Sequence, residues 1–350
     1  MVIAHLDLDA FFAAVEELED PRLGHLPVVV GGDPQGRGVV ATANYEARKF
    51  GIRSAMSSAE AFRRCPHVVF VRPRHSLYRE HSRAVWDVVR SIVPAVEKTG
   101  IDEGYLDLSA FERPREIARA VQTAVRGATS LTCSIGVGGS KTVAKIASDR
   151  RKPGGLTVVP PGRERAFLAP LDIRLLPGLG PRTEERLRRL GIETLGSLAA
   201  LGDDELRGVL PGKVGLLLRD RARGIDPRGI EPPAEAVSIS NEETFPRDVA
   251  DREALHAELR RMAARLAEQL ASSGRTARTV TTKVRYPDFS IRSRSTTLAA
   301  GTDDGVRIGE LACGLLDRAL RDRPGALRLV GVGVSNFEPY RQLTLGYAIG

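Results

Sequence analysis

The first 160 residues alternate between short apolar runs and longer stretches whose apolar positions recur three or four residues apart. The apolar runs that end at glycine or another turn residue predict strands at residues 2–8, 27–32, 38–43, 131–137 and 156–159. The helical spacing predicts helices at residues 10–18, 44–51, 58–64, 75–93, 117–125 and 141–151. Asp9 precedes the first of these helices and is predicted to have a structural role, as its N-cap or as a hydrogen-bond partner. The pattern predicts an α+β fold in which several strands form one sheet.

After residue 160 the pattern changes to charged helices and glycine-rich turns. Leu175–Thr183 predicts a tight turn before a charged helix at residues 184–190, and residues 208–214 repeat the arrangement more weakly. A helix–hairpin–helix can present the backbone N–H groups of a helix N-terminus to a phosphate. Gly178 and Gly180 are therefore candidate contacts to the DNA backbone, although an ordinary helix–helix connection has the same pattern.

Residues 229–237 predict a linker, and a last α+β region follows it. Its pattern predicts helices at residues 253–270 and 304–320, and strands at residues 279–286, 291–297 and 327–335. In the first strand the even-numbered residues from Val280 to Tyr286 share one face, and Lys283 and Arg285 lie on the other. The sequence predicts a basic stripe in this region that could bind successive phosphates of a nucleic-acid backbone and that only Asp288 interrupts. The stripe consists of Arg275, Arg278, Lys283, Arg285, Arg292 and Arg294. A solvated sheet face is the alternative, although it more often mixes the two signs of charge.

The bulk composition narrows the function classes. A chain of 350 residues with 42% hydrophobic residues is globular and long enough for several domains, and its net charge of +8 favours a polyanionic partner. The cysteines, Cys65, Cys133 and Cys313, are too far apart in sequence for a CxxC metal site, so we expect buried thiols in a reducing cytoplasm. The six histidines lack the spacing of a zinc site, and we expect neither a signal peptide nor a membrane span.

Candidate chemistry is concentrated in the stretch from Thr99 to Ser109, where Asp102 and Glu103 stand side by side before an apolar strand. Adjacent strand residues point to opposite faces, so both acids reach one site only at a turn or a strand end. If this strand pairs with residues 2–8, Asp7 joins them in an oxygen-only cluster, which suits Mg²⁺ together with substrate phosphates. A solvated acidic turn is the alternative.

The chain resembles the Y-family DNA polymerases, in their DNA polymerase IV-like (DinB-like) branch. The resemblance extends through HLDLDAFFAAVE, VVATANYEARKFGIRSAM, IDEGYLDLS, SIGVGGSKTVAKIASDRRKPGGLTVV and LPGLG, in the family's order and at its spacings. The last region matches only in pattern. The resemblance implies a right-hand polymerase with a ferredoxin-like palm, small fingers, a helix-hairpin-helix thumb and a βαβ-type little finger. The implied divisions are a palm at residues 1–10 and 75–160, fingers at 11–74, a thumb at 161–228, a little finger at 238–340 and a C-terminal tail at 341–350.

The implied activity is template-directed, low-fidelity DNA synthesis from deoxynucleoside triphosphates (dNTPs) for translesion synthesis and DNA repair, without proofreading. Two Mg²⁺ ions, with Mn²⁺ as a possible substitute, would be held by the catalytic carboxylates Asp102 and Glu103, by Asp7 and by the backbone carbonyl of Leu8. One ion would lower the pKa of the primer 3′-OH and the other would neutralise the triphosphate. The implied dNTP-binding residues are Phe11, Phe12, Thr42, Tyr45, Arg48 and Lys152.

Other positions are less specific or depart from the family pattern. Phe12 matches the steric gate that excludes a ribose 2′-OH, and a core phenylalanine is its alternative. Lys145 is as consistent with a solvated helix face as with a template or primer phosphate contact. Gly100 and Gly104 stand where serine and alanine are usual, and residues 138–141 (GGSK) replace the familiar APNK. These differences change backbone freedom near the site rather than the reaction class.

The end of the chain predicts a further partner. Gln342, Leu343 and Leu345 resemble the short Q-L-x-L tail that docks on the sliding clamp, although the tail could equally be a last disordered stretch or the closing edge of the little finger. We expect a monomer that binds primer–template DNA, a dNTP and this clamp.

Three other function classes remain as alternatives. A non-catalytic polymerase-like scaffold that binds DNA and clamp would lack the carboxylates. A nucleotidyl cyclase would not explain the hairpin thumb or the basic last region, and a helix-hairpin-helix repair protein would not synthesise DNA.

Overall fold

A computed structural model describes residues 1–210, 212–231 and 235–339, and these form two compact units, Met1–Ala234 and Glu235–Gly350. The predicted clamp-binding residues Gln342, Leu343 and Leu345 lie outside the described residues, as does part of the predicted linker. No helix in the described ranges has both the length and the apolar composition needed to cross a bilayer. The three cysteine thiols are buried and none forms a disulfide, as predicted.

The first unit contains eight strands and eleven α-helices within the described residues. Its strands are β1 Ile3–Leu8, β2 Val28–Gly31, β3 Val40–Ala43, β4 Val69–Val71, β5 Val96–Lys98, β6 Glu103–Asp107, β7 Cys133–Gly138 and β8 Leu156–Val158. Its helices are α1 Phe11–Glu19, α2 Tyr45–Lys49, α3 Ser58–Arg64, α4 His75–Ile92, α5 Pro114–Thr129, α6 Lys141–Ser148, α7 Glu164–Leu168, α8 Pro181–Arg189, α9 Leu195–Ala200, α10 Asp203–Val209 and α11 Lys213–Ala222.

A five-stranded sheet in the order β5-β6-β1-β7-β8 forms the centre of this unit. Strand β1 lies in the middle and pairs antiparallel with both β6 and β7, which confirms the pairing on which the predicted carboxylate cluster depended. The register places Asp7 opposite Glu103. Since β1 is covered on both faces, its residues Ile3, Ala4, Leu6 and Leu8 are almost completely buried.

Two smaller structures accompany the central sheet. Strands β3-β2-β4 form a three-stranded sheet, and α2 begins after Asn44, whose side chain caps it by accepting the N–H of Ala47. Helices α7 to α11 form the thumb-like region around a separate apolar core. Gly178, with φ of 91°, turns the chain into α8, which follows Gly180 and starts at Pro181.

The second unit is a four-stranded antiparallel sheet with two helices on one face. Its elements are β9 Ser238–Val249, α12 Arg252–Ser272, β10 Arg275–Arg285, β11 Ile291–Thr302, α13 Gly305–Asp322 and β12 Leu327–Pro339, with the strand order β11-β10-β12-β9. Val280, Thr282 and Val284 are buried beneath the helices, as the alternation in the sequence predicted. Lys283 and Arg285 lie on the open face, also as predicted.

The predicted single basic stripe is wrong. Arg292 pairs with Val284 and Arg294 with Thr282, and residues directly opposite in an antiparallel pair share a face. Arg292 and Arg294 therefore lie on the helix side, where Arg294 forms an ion pair with Asp322 of α13. On the open face, Lys283 forms an ion pair with Glu242 of β9, 2.8 Å away. The stripe is thus divided between two faces, and acidic residues neutralise part of it.

Of the two roles predicted for Asp9, that of helix cap is wrong, whereas that of hydrogen-bond partner is confirmed. Helix α1 begins after Ala10, which has a left-handed backbone conformation, and no side chain caps the helix. Sequence patterns also missed strands β4, β5 and β9, because β4 and β5 have three residues each and β9 is largely polar. The predicted helix at residues 141–151 ends at Ser148 and continues as a short 3-10 turn.

Candidate active site

A cavity of about 140 Å³ lies where β1 ends and β6 begins. The cavity is lined by Asp7, Leu8, Ala10, Phe11, Ala41, Thr42, Arg48, Ser54, Asp102 and Lys152. Seven of these ten residues were predicted from the sequence as metal or dNTP ligands. The main-chain N–H of Leu8 donates to the carbonyl of Asp102 at 2.9 Å, so the hairpin that carries the acidic pair is fixed to the end of β1. This contact brings together residues that are 95 positions apart in sequence (Asp7 and Asp102).

The carboxylates Asp7 and Asp102 share this cavity and repel each other. Burial raises the pKa of Asp7, and burial together with the nearby charge of Asp7 raises the pKa of Asp102. Lys152 donates to Asp7 at 2.8 Å and to Asp149 at the same distance. Burial would lower the pKa of Lys152, but these two carboxylates outweigh it and raise the pKa. Asp7 and Asp102 are both half-buried, and Lys152 carries the one ammonium group in the lining of their cavity. The cavity can therefore accept a further positive charge beside the two carboxylates.

Glu103, in contrast, turns away from this cavity toward a second set of partners. Its Oε2 accepts from the ammonium group of Lys145 at 2.5 Å and lies 3.4 Å from Nε2 of His5. Hydrogen bonding from His5, followed by the charge of Lys145, lowers the pKa of Glu103 to about 2 despite its burial. His5 is completely buried, and its Nδ1 lies 2.9 Å from the hydroxyl of Ser148.

The three carboxylates therefore do not converge on one point. Across the described residues, no three His, Cys, Asp or Glu side chains are arranged so that they could hold a metal ion together. The donor set nevertheless fits a hard divalent cation, because the carboxylates of Asp7 and Asp102 offer only oxygen atoms in a confined cavity. Lys152 forms an ion pair with Asp7, and Lys145 forms one with Glu103. Each ammonium group thus supplies positive charge where such a cation would supply it.

The predicted triphosphate contacts lie beside the carboxylates. The guanidinium group of Arg48 donates from Nε to the carbonyl of Ala43 at 3.0 Å and lies 4.6 Å from the centre of the Tyr45 ring. Burial and the charge of Asp9 raise the pKa of Tyr45 to about 12, so its hydroxyl stays protonated at neutral pH. Arg48, Thr42 and Lys152 line the cavity, whereas Tyr45 lines the neighbouring cavity that also borders on Asp9.

Phe12 stands on α1 within an aromatic group. Its ring stacks on Tyr78, with the centroids 4.3 Å apart and the planes 14° from parallel. The Tyr78 hydroxyl donates to the buried carboxylate of Glu16 at 2.5 Å, and Arg74 also pairs with Glu16. His75 packs edge-on against the Phe12 ring. The ring is half-buried and packs against the central apolar core, so both the gate and the core phenylalanine stay open as predictions.

Four residues around the site were missed or left undecided by the sequence patterns. His5, Ser148 and Asp149 carried no motif that separated them from structural residues, and Lys145 was left between two roles. The one available signal was the alternation in β1, which places His5 and Asp7 on the same face.

The candidate DNA contacts lie in both units. The first turn of α8, after Gly178 and Gly180, has no side-chain cap and begins with Pro181. The N–H groups of Thr183 and Glu184 both donate to the carbonyl of Gly180 at 3.0 Å. In the second unit, Arg285 has a buried Nε without a hydrogen-bond partner among the described residues.

Family models match three parts of the chain. The impB/mucB/samB family matches residues 6–149, the IMS family HHH motif residues 161–192, and the impB/mucB/samB family C-terminal domain residues 236–345. The chain is 44% identical to DNA polymerase IV of Streptomyces coelicolor, over 97% of this chain and 72% of that protein. It is 41% identical to DNA polymerase IV of Dehalococcoides mccartyi, over 98% of this chain and 89% of that protein.

Solved structures show the same fold. A Y-family DNA polymerase chimera, Dbh-Dpo4(243-245)-Dbh, superposes with a TM-score of 0.87 at 29% identity and covers 96% of this chain and 99% of that chain. An insertion ternary complex of Dbh DNA polymerase gives a TM-score of 0.68 at 28% identity, with the same coverage. The predicted right-hand polymerase fold is thereby confirmed.

Proposed function

The chain belongs to the Y-family DNA polymerases of the DNA polymerase IV type, and from this membership we propose how its residues divide the chemistry among them. The protein is a DNA-directed DNA polymerase of the translesion class that takes primer–template DNA and a dNTP as substrates. The non-catalytic scaffold is not favoured, because the catalytic carboxylates are present and enclosed with the triphosphate-binding residues.

One observation carries the proposal: Asp7 and Asp102 line the same small cavity as Lys152, Arg48 and Thr42. Nucleotidyl transfer needs negative oxygen ligands next to cationic groups that receive a triphosphate, and this cavity offers both. Burial raises the pKa of both carboxylates, and the charge of Asp7 adds to the rise for Asp102. A divalent cation bound beside them would offset this cost of holding two negative charges close together.

The family uses divalent metal ions, and we propose that here they are two Mg²⁺ ions, for which Mn²⁺ can substitute. Asp7, Asp102, Glu103 and the carbonyl of Leu8 would hold them. When bound, the ions supply charge neutralisation for the triphosphate and a lower pKa for the primer 3′-OH. Lys152 and Lys145 now satisfy Asp7 and Glu103, so these two lysines are the groups that exchange partners when substrates enter.

The remaining residues orient the substrates. Lys152, Arg48, Tyr45 and Thr42 bind the triphosphate, together with the backbone N–H groups around Phe11. The ring of Phe12, backed by Tyr78, occupies the space that a ribose 2′-OH would need. No protein nucleophile is required, because positioning and charge neutralisation account for phosphoryl transfer.

DNA is held by both units in this proposal. The N–H groups at the start of α8, near Gly178 and Gly180, bind backbone phosphates. Lys283 and Arg285 on the open face of the second sheet bind further phosphates, whereas Arg292 and Arg294 lie on the helix side and are not part of this surface. We further propose a monomer that works in the cytoplasm, where its three unpaired thiols stay reduced, and that docks on a sliding clamp through Gln342, Leu343 and Leu345.

Primer extension on an undamaged template tests the activity. Wild type with dNTPs and Mg²⁺ should extend the primer, and Asp102→Ala should not, while both should bind primer–template with equal affinity. Asp107→Asn is the matched control, since Asp107 ends the same strand and caps only the N–H of Ser109. If wild type and Asp102→Ala both bind DNA and neither extends the primer, the protein is a non-catalytic scaffold and not a polymerase.

A further inference from the structure

Asp9 stands two residues beyond Asp7, but it does not join the carboxylates of the cavity. It follows the end of β1 and is buried, with 4% of its surface exposed. A buried carboxylate is costly unless several donors satisfy it. Its two oxygens are occupied by N–H and O–H groups, so it is neither a free ligand nor a helix cap.

The donors come from three separate segments. Oδ1 accepts from the hydroxyl of Ser134 in β7 at 2.7 Å and lies 3.4 Å from the hydroxyl of Tyr45 at the start of α2. Oδ2 accepts from the main-chain N–H of Gly154 at 2.8 Å. Hydrogen bonds to an ionised carboxylate are stronger than those between neutral groups.

Two of these three segments carry proposed triphosphate ligands. Gly154 lies two residues after Lys152, in the turn that leads from α6 to β8. Tyr45 is itself a proposed ligand, and its ring supports the guanidinium group of Arg48. The third donor, Ser134, lies in the central sheet and so anchors Asp9 to a rigid element.

A second cavity, of about 210 Å³, lies behind this junction and borders on Asp9, Tyr45 and Pro153. Neighbouring atoms therefore do not fully pack the Lys152 turn and the Tyr45 ring on that side. Their positions depend on the hydrogen bonds of Asp9 more than they would in a close-packed core.

We infer that Asp9 is the positioning residue of the triphosphate pocket: its carboxylate holds the turn that carries Lys152 and the ring that supports Arg48 in register with each other. This inference rests on the proposed function of the cavity. Asp9 touches no substrate and acts only through these neighbours.

Single-nucleotide incorporation by the full chain, measured before the steady state at increasing dNTP concentration, tests the inference. It gives an apparent Kd for the dNTP and a maximal rate. For Asp9→Ala we expect the apparent Kd to rise about tenfold or more while the maximal rate falls less than about threefold. Asp9→Asn keeps the size of the side chain and part of its accepting capacity, so its apparent Kd should lie between those of wild type and Asp9→Ala.

A double-mutant cycle identifies the neighbour through which Asp9 acts. Asp9→Ala should raise the apparent Kd much less when Lys152 is already alanine, because the turn then has no ammonium group to position. Fully additive effects would overturn the inference. An unchanged apparent Kd in Asp9→Ala, with fewer active molecules, would also overturn it and leave Asp9 with a structural role alone.

Two controls keep the outcomes separate. Asp107→Asn alters an acidic residue in the same sheet that contacts neither triphosphate segment, and its apparent Kd should match wild type. If Asp9→Ala does not fold, judged from its thermal unfolding, Asp9→Asn carries the test alone, and an apparent Kd equal to that of wild type would refute the inference. A wild type without activity would refute the proposed function instead, whereas an active wild type with unaltered Asp9 variants refutes only the role of Asp9.

Discussion

The active-site cavity and the open sheet face of the second unit both bring charged side chains together, but by opposite means. At the cavity, β1 and β6 pair in one register and a main-chain hydrogen bond from Leu8 to Asp102 fixes the hairpin. On the second sheet, basic residues close in sequence are divided between two faces, and Glu242 and Asp322 neutralise Lys283 and Arg294. The first arrangement concentrates two carboxylates and two cationic groups in one small cavity, whereas the second disperses its charges over two faces.

This difference shows what each kind of charge contributes. Half-buried like charges are costly to hold together, so a fold that retains them provides a place for an opposite charge from outside. Exposed ion pairs contribute little energy and exchange partners readily. Substitutions in the cavity should therefore abolish function, and substitutions on the sheet should only adjust affinity.

The largest effect is expected for Asp7→Ala. Nucleotide incorporation should fall by about a thousandfold or more, because metal-mediated charge stabilisation is worth several kcal/mol and about 1.4 kcal/mol corresponds to tenfold. Affinity for primer–template, measured by fluorescence anisotropy, should stay within about twofold of wild type. If Asp7→Ala also lost affinity for DNA, the cavity and the sheet would not have separate roles in catalysis and binding.

Phe12→Ala should have the next largest effect, and only on sugar selection. Removal of the ring opens space for a 2′-OH, so the preference for a deoxynucleotide over a ribonucleotide should fall on the order of 100-fold. The matched control is Tyr78→Phe, which keeps the ring that stacks on Phe12 and loses only the hydroxyl that donates to Glu16. Steady-state kinetics with both sugars gives the ratio, and equal selectivity in Phe12→Ala and wild type would rule out the gate.

A smaller effect distinguishes the two faces of the second sheet. Arg285→Ala should weaken primer–template binding severalfold and reduce the slope of log affinity against log salt by about one, because one phosphate contact is lost. Arg294→Ala should change affinity less than about twofold, since Arg294 faces α13 and pairs with Asp322. Titrations at several salt concentrations would show similar losses for the two variants if the basic residues formed one continuous stripe after all.

The smallest effect, and the only gain, is expected for Glu242→Gln. The substitution releases the ammonium group of Lys283, and an exposed ion pair is worth about 0.2–1 kcal/mol, so affinity for primer–template should rise by up to about fivefold. Lys283→Ala combined with Glu242→Gln should remove the gain. An unchanged affinity in Glu242→Gln alone would mean that Lys283 does not reach a phosphate.

The residues of the active-site cavity could be predicted from the sequence more fully than the charged residues of the second sheet. Asp7 and Asp102 could be predicted from their acidic strands, and the alternation in β1 fixes the face of Asp7. Lys152 could be predicted only from the family resemblance. The partition of Arg292 and Arg294 could not, since it depends on the pairing register of β11 with β10, which a tight turn sets and charge patterns do not report.

Side-chain partners were the least predictable part of the site. Asp9 had the residue type of a helix cap in the right place, but long-range donors from Ser134 and Gly154 prevailed over the local backbone. The turn of Glu103 toward Lys145 and His5 likewise depends on residues that no motif linked to it. Such contacts arise only when distant segments meet, and sequence spacing does not contain that information.

The central position of β1 has a consequence for synthesis of the chain. This strand is among the first segments to leave the ribosome, yet its partner β7 ends at residue 138, about 130 residues after β1 ends. At bacterial translation rates of about 5–20 residues per second, β1 waits about 7–25 seconds before its second neighbour exists. Until β6 is complete at residue 107, this apolar strand from the middle of the sheet has two unpaired edges, and it keeps one until β7 follows. A sheet that grows outward from consecutive hairpins would leave its central strand unpaired for a shorter time.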